Sequence, residues 1–222
     1  MTGETIRLTA ADGHALDAYL ARPSGSPRAG LVVIQEIFGV NSHIRAVTDG
    51  FAADGFLAVA PALFDRVEWG VELGYEADDM TKGRALRPQV SLDQAAMDVT
   101  AAVGAVEEAG KVGVIGYCWG GTVAWLAACR CPVAAAVGYY GGHIHELSAE
   151  TPGCPVELHF GEQDDGIPAE NRAIIAAAHP EVPQHLYPAD HGFNCDQRAT
   201  YHAESARLAR ERSLAFLAKH LG

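Results

Sequence analysis

Lys111-Val112-Gly113-Val114-Ile115-Gly116-Tyr117-Cys118-Trp119-Gly120-Gly121 is the stretch on which the reading of this chain turns. Residues 111–115 form a short apolar run without polar alternation, the mark of a strand buried on both faces. G-x-C-x-G follows at once, and residues 122–129 behind it read as a helix. Strand, glycine-flanked turn and helix together make the context of a nucleophile elbow, which pushes its middle side chain outward. The free N–H groups and positive dipole end of the following helix favour a thiolate at Cys118 and, later, an oxyanion. The plainer alternative is a buried cysteine in a Gly-rich turn. A dinucleotide-binding loop fits worse, because the spacing is not G-x-G-x-x-G and the segment lies mid-chain.

The pattern extends in both directions. The first 22 residues alternate loosely around Ala11-Asp12-Gly13-His14 and read as an edge hairpin. Buried strands are expected at 31–34 and 56–60, with a helix at 42–54 between them. Residues 63–90 show no clean period and read as a surface excursion lining a pocket. A helix is expected over 91–109. Beyond the elbow come strands at 133–137 and 156–160, a helix at 169–178 and a short strand at 184–187. The last 24 residues read as an amphipathic helix with Leu208, Leu214, Phe216 and Leu217 toward the core. Repeated strand–helix units after a hairpin predict an α/β fold. Its mostly parallel sheet should have about eight strands, with helices on both faces. No repeat or linker interrupts the series, so residues 1–222 are expected to form a single domain.

Composition narrows the partners. The 222 residues are 49% apolar and 20% charged, enough for a sizeable core. A net charge of −12 argues against nucleic acid or anionic membrane as the main partner. No apolar run approaches a membrane span, and the N-terminus lacks the basic and apolar regions of a secretory signal. The five cysteines are odd in number and form no C-x-x-C pair, which points to a reduced, cytoplasmic chain. A monomer or weak homodimer is expected, with no cofactor and no metal.

A cysteine nucleophile needs a base, and the base needs an orienting group. His191 lies in a loop directly after the 184–187 strand, where ligands reach an open α/β sheet. Asp164 lies in the matching loop after the 156–160 strand, with Asp165 as its competitor. Nucleophile, acid, histidine is the chain order of α/β-hydrolases. Glu36 follows the 31–34 strand at the same sheet edge; a plain loop charge is the alternative reading there.

The sequence resembles the dienelactone hydrolase family of α/β-hydrolases, also called carboxymethylenebutenolidases. Five motifs carry the likeness in order: Gln35-Glu36-Ile37-Phe38-Gly39-Val40-Asn41, the Cys118 elbow, Val137-Gly138-Tyr139-Tyr140-Gly141, Gly161-Glu162-Gln163-Asp164 with Pro168, and His191-Gly192-Phe193. The C-terminal helix also fits. The resemblance implies Cys118 as nucleophile, His191 as base and later acid, and Asp164 as orienter. It makes Glu36 an acidic partner near the thiol, and the backbone N–H groups of Ile37 and Trp119 an oxyanion hole. Phe38, Tyr139 and Phe193 would bound the substrate pocket, although Tyr139 also suits plain packing. The implied reaction opens a small enol-lactone such as dienelactone, to maleylacetate, through a thioester.

The family grips its substrate carboxylate with arginines. One is expected a few residues after the histidine, where this chain has Cys195, with Arg198 nearby. Arg84 and Arg87 are candidates for the other, Lys82 a further one, and solvated surface charge is their plainer reading. The departure at Cys195 leaves other small esters or lactones as alternative substrates. Two other classes stay open. His143-x-His145 beside Glu146 is a partial metal pattern that lacks a third ligand. A non-catalytic binding protein on the same scaffold is the second.

Overall fold

The computed structural model describes residues 3–222. Its eight strands are β1 (Glu4–Thr9), β2 (Ala15–Ala21), β3 (Ala29–Ile34), β4 (Phe56–Pro61), β5 (Val112–Tyr117), β6 (Ala135–Tyr139), β7 (Val156–Gly161) and β8 (Gln184–Tyr187). They form one sheet in the order β1-β2-β4-β3-β5-β6-β7-β8. The first hairpin is antiparallel and joins the rest through antiparallel β2–β4 pairing; every later pair is parallel. The continuous apolar runs explain this. In β3, β4 and β5 every residue is buried, as a parallel strand covered on both faces requires.

Six α-helices accompany the sheet: α1 (Ser42–Ala53), α2 (Ala77–Leu86), α3 (Leu92–Val106), α4 (Trp119–Arg130), α5 (Ala169–Ala178) and α6 (Ala203–Leu221). The contacts between α3 and α4 place them on one face. Arg210 of α6 reaches Asp54 at the end of α1, joining these two across the other face. The expectation of an eight-stranded, mostly parallel sheet between helical layers is met. Among the described residues no helix is long and apolar enough to cross a membrane.

Two expectations are corrected. The excursion at 63–90 contains an ordered helix, α2, between two short 3-10 turns. Its sequence has no apolar stripe, since only Gly83 and Leu86 are buried. Its N-terminus is instead fixed by a capping box between Glu76 and Asp79. In α6 the inward face is Ser205, Ala206, Ala209, Ser213, Leu217 and Leu221. Leu217 is buried as expected, while Leu208, Leu214 and Phe216 pack against the margin of the core and are only partly buried, because the helix turns small residues and Ser213 toward the crowded sheet.

Candidate active site

Four loops at the carboxyl ends of β3, β5, β7 and β8 meet at one edge of the sheet, where open α/β folds bind ligands. The loop after β5 is the elbow. Cys118 adopts φ 55°, ψ −119°, a left-handed conformation that L side chains rarely take. Its N–H donates to the Tyr139 carbonyl at 3.0 Å, and its carbonyl accepts from Gly121 at 2.9 Å. Glycine at 116 is a steric necessity, for a Cβ there would lie 1.9 Å from the Gly120 carbonyl oxygen. The strained turn therefore rests on backbone packed against backbone, and Cys118 is left half-buried at the head of α4.

His191 follows β8 and faces Cys118. Its Nδ1 donates to Asp164 Oδ2 at 2.7 Å. Asp164 is buried, and its Oδ1 accepts from the Gly166 N–H at 2.9 Å, so the carboxylate is pinned at both oxygens. Asp165, the competing residue, is exposed. Burial opposes charge on His191, but the neighbouring Cys118 sulfur and the Asp164 carboxylate outweigh it and hold the imidazole up to about 10. A thiol, an imidazole and a buried carboxylate thus stand in sequence across one edge of the sheet.

Glu36 is fully buried, yet its partners are not those expected. Oε1 accepts from Arg198 Nη1 at 3.2 Å and Oε2 from the Tyr75 hydroxyl at 3.1 Å. Asn41 ties this arrangement together, donating to the Leu73 carbonyl at 2.9 Å and to the Tyr75 hydroxyl at 3.2 Å. Arg198 lies near enough to Cys118 for the sulfur to add to the stabilisation of its charge. Cys195 stands where the family arginine is expected, but the guanidinium of Arg198 reaches the same interior from three residues on.

A cleft of about 340 Å³ opens beside Cys118, a volume suited to a small ligand. Ile37, Trp119, His191, Arg84, Arg87, Pro88 and His143 line it, with Gly142, Gly166 and Ile167. The N–H groups of Ile37 and Trp119 have no backbone acceptor among the described residues, which leaves both available to an oxygen in the cleft. Helix α2 is pressed onto this loop. A Cβ at Gly83 would lie 2.3 Å from the Ile37 carbonyl oxygen, so the small residue lets the helix bring Arg84 and Arg87 to the rim. Lys82 is instead paired with Glu68 at 2.6 Å.

Phe38, Tyr139 and Phe193 do not reach the cleft. They are buried beneath it: Phe38 packs on Tyr75, and Phe193 packs on Tyr140 and Tyr187. The Tyr139 hydroxyl bonds Ser213 at 2.8 Å, so this side chain is part of the packing under the site. His143 is a lining residue that spacing alone did not single out for this role. Its signal was its place in the loop after β6, at the same sheet edge. His143 Nδ1 lies 2.9 Å and His145 Nε2 3.9 Å from Glu146 Oε1, but among the described residues these three do not converge closely enough to hold a metal ion. A larger groove, of about 800 Å³, lies by α6 and the amino ends of β7 and β8, remote from the thiol.

Comparison with known proteins agrees with this geometry. Residues 16–221 match the model of the dienelactone hydrolase family. A carboxymethylenebutenolidase of Pseudomonas putida is 36% identical over 235 residues, covering 98% of this chain and 97% of its own. A candidate carboxymethylenebutenolidase of Synechocystis sp. is 38% identical over 209 residues, 85% of each chain. The crystal structure of a candidate dienelactone hydrolase from Klebsiella pneumoniae superposes with a TM-score of 0.85 at 30% identity, covering 98% of this chain and all of that one.

Proposed function

The chain belongs to the dienelactone hydrolase family, a hydrolase of small esters or lactones, and from that premise we propose that it opens an anionic enol-lactone of the dienelactone type. The observation that carries the reading is the cleft itself. Cys118, with His191 behind it, faces a space rimmed by Arg84 and Arg87. A small acyl group with a carboxylate one ring away fits that distribution of charge.

In the proposed reaction the Cys118 thiolate attacks the lactone carbonyl carbon. The developing oxyanion takes hydrogen bonds from the N–H groups of Ile37 and Trp119. The ring C–O bond breaks, a C–S bond remains, and the enolate oxygen leaves still tethered to the acyl half. Proton transfer from His191 turns the imidazole into a base. A water loses its proton to His191, attacks the thioester carbonyl and releases the thiolate. With dienelactone the product is maleylacetate. Asp164 accepts from Nδ1 throughout and keeps Nε2 toward the reacting atoms.

Turnover of cis- and trans-dienelactones, uncharged lactones and aryl esters tests the assignment, with Cys118→Ala as control. Preference for the charged lactones, lost in Cys118→Ala, is expected. Equal turnover of charged and uncharged substrates overturns the dienelactone assignment, and full activity in Cys118→Ala overturns the nucleophile.

A further inference from the structure

Behind the cleft lies a second group of donors, of which only Glu36 has a place in the hydrolytic reading. Glu36, His43 and Cys195 are all buried, and one ligand atom from each lies within 4.8 Å of the other two. His43 stands in the first turn of α1, just after the Asn41 cap. Cys195 comes from the loop after His191, 152 residues further on in a chain that joins them only through the fold. His43 Nε2 is buried without a hydrogen-bond partner. An unpaired buried ring nitrogen is costly and calls for an explanation.

The other ring nitrogen supplies it. His43 Nδ1 lies 3.2 Å from Asp196 Oδ1. A carboxylate only accepts, so Nδ1 carries a proton, and in the neutral ring Nε2 is then a bare lone pair. Carboxylate, imidazole, then an open nitrogen is the arrangement that orients histidines toward metals. One ring nitrogen of His43 lies within 4.8 Å of both the Cys195 sulfur and a Glu36 carboxylate oxygen.

We propose that Glu36, His43 and Cys195 bind a thiophilic divalent cation of the zinc class behind the nucleophile. Sulfur, nitrogen and oxygen donors suit zinc or cobalt and not magnesium or calcium. Tetrahedral zinc holds such donors about 3.5 Å apart, so closure from the present spacing takes side-chain rotation without movement of the strands. Coordination breaks the Cys195 S–H bond, forms the sulfur–metal bond and passes the proton to solvent. The cation takes Glu36 through Oε2, displacing the Tyr75 hydroxyl, while Oε1 keeps Arg198. One thiolate and one carboxylate set two negative charges against the cation, and Arg198, which shares the Glu36 carboxylate, leaves the group with one net positive charge.

The test uses the full-length Cys118→Ala protein, which removes the cleft thiol as a rival ligand and makes the result independent of hydrolysis. Titration with cobalt(II) should give a single bound equivalent with a thiolate-to-cobalt charge-transfer band. Adding Cys195→Ser or His43→Gln should abolish that band. Asp196 is exposed, so Asp196→Asn disturbs packing little; it should keep the band and weaken binding by roughly 10- to 100-fold. No cobalt binding overturns the site. So does a band that survives both added substitutions, which would place the metal on Cys129, Cys131 or Cys154, and so does unchanged affinity in Asp196→Asn.

Discussion

His191 and Asp164 are joined at 2.7 Å although their strands, β8 and β7, lie at the margin of the sheet. The carboxylate is buried and takes a second hydrogen bond from Gly166, so it has one orientation to offer. Asp164→Asn should retain the fold and lower kcat by about 10³–10⁴, because an amide can hold the imidazole in the wrong tautomer. Steady-state rates beside a circular dichroism spectrum check this; a loss under tenfold would leave Asp164 as a structural residue only.

The imidazole charge gives a pH prediction. Burial works against protonation of His191, yet Cys118 and Asp164 raise it from the usual 6.5 to about 10. A raised histidine contributes stability that is complete below its unfolded value and is lost as pH climbs through the folded one. The His191 ring signal in NMR should titrate near 10, and stability assigned to the pair should decline as pH rises from about 6.5 to about 10 and be gone above it. In Cys118→Ala the midpoint should move down. A midpoint near 6.5 in the parent protein would contradict the pairing.

Arg87 is half-buried at the cleft rim, and among the described residues no acidic side chain is bonded to it. Arg87→Ala should raise KM for an anionic lactone by roughly ten- to hundredfold, the worth of a charged hydrogen bond of about 1.5–3 kcal/mol. The uncharged lactone should be nearly unaffected. Equal effects on both substrates would assign Arg87 to packing.

Gly116→Ala places a methyl where the backbone of Gly120 already stands. No side chain can move aside, so the elbow must shift. A loss of about 1–3 kcal/mol is expected from the overpacking, together with loss of activity. Urea unfolding measures it, and an unchanged midpoint would show that the turn has slack.

Much of this was legible because the central strands are buried on both faces and therefore read as uninterrupted apolar runs. Cys118 follows such a run, while Asp164 and His191 follow the more polar strands β7 and β8, and their common place in loops after strands pointed to one sheet edge. Helix α2 was not legible, for a helix that buries only Gly83 and Leu86 leaves no periodic signal. The partners of Glu36 were hidden for a different reason. Arg198 and Tyr75 lie 162 and 39 residues away in sequence, and nothing local announces such pairings. Phe38 and Phe193 were placed one layer too high, and Tyr139 was left between pocket and packing, because an aromatic residue beside a site motif reads the same whether it floors the cleft or supports its floor.

The position of β8 has a consequence for how the protein fails when heated. It is the edge strand, four residues long, paired only with β7, and Leu186 within it is nearly half exposed. Short edge strands are the first to breathe. His191 hangs from the end of this one, so transient fraying unseats the imidazole while the remaining strands hold. Heat inactivation should therefore run ahead of the loss of secondary structure, and β8 amides should exchange with deuterium sooner than those of β5, whose turn still presents an intact but unassisted Cys118.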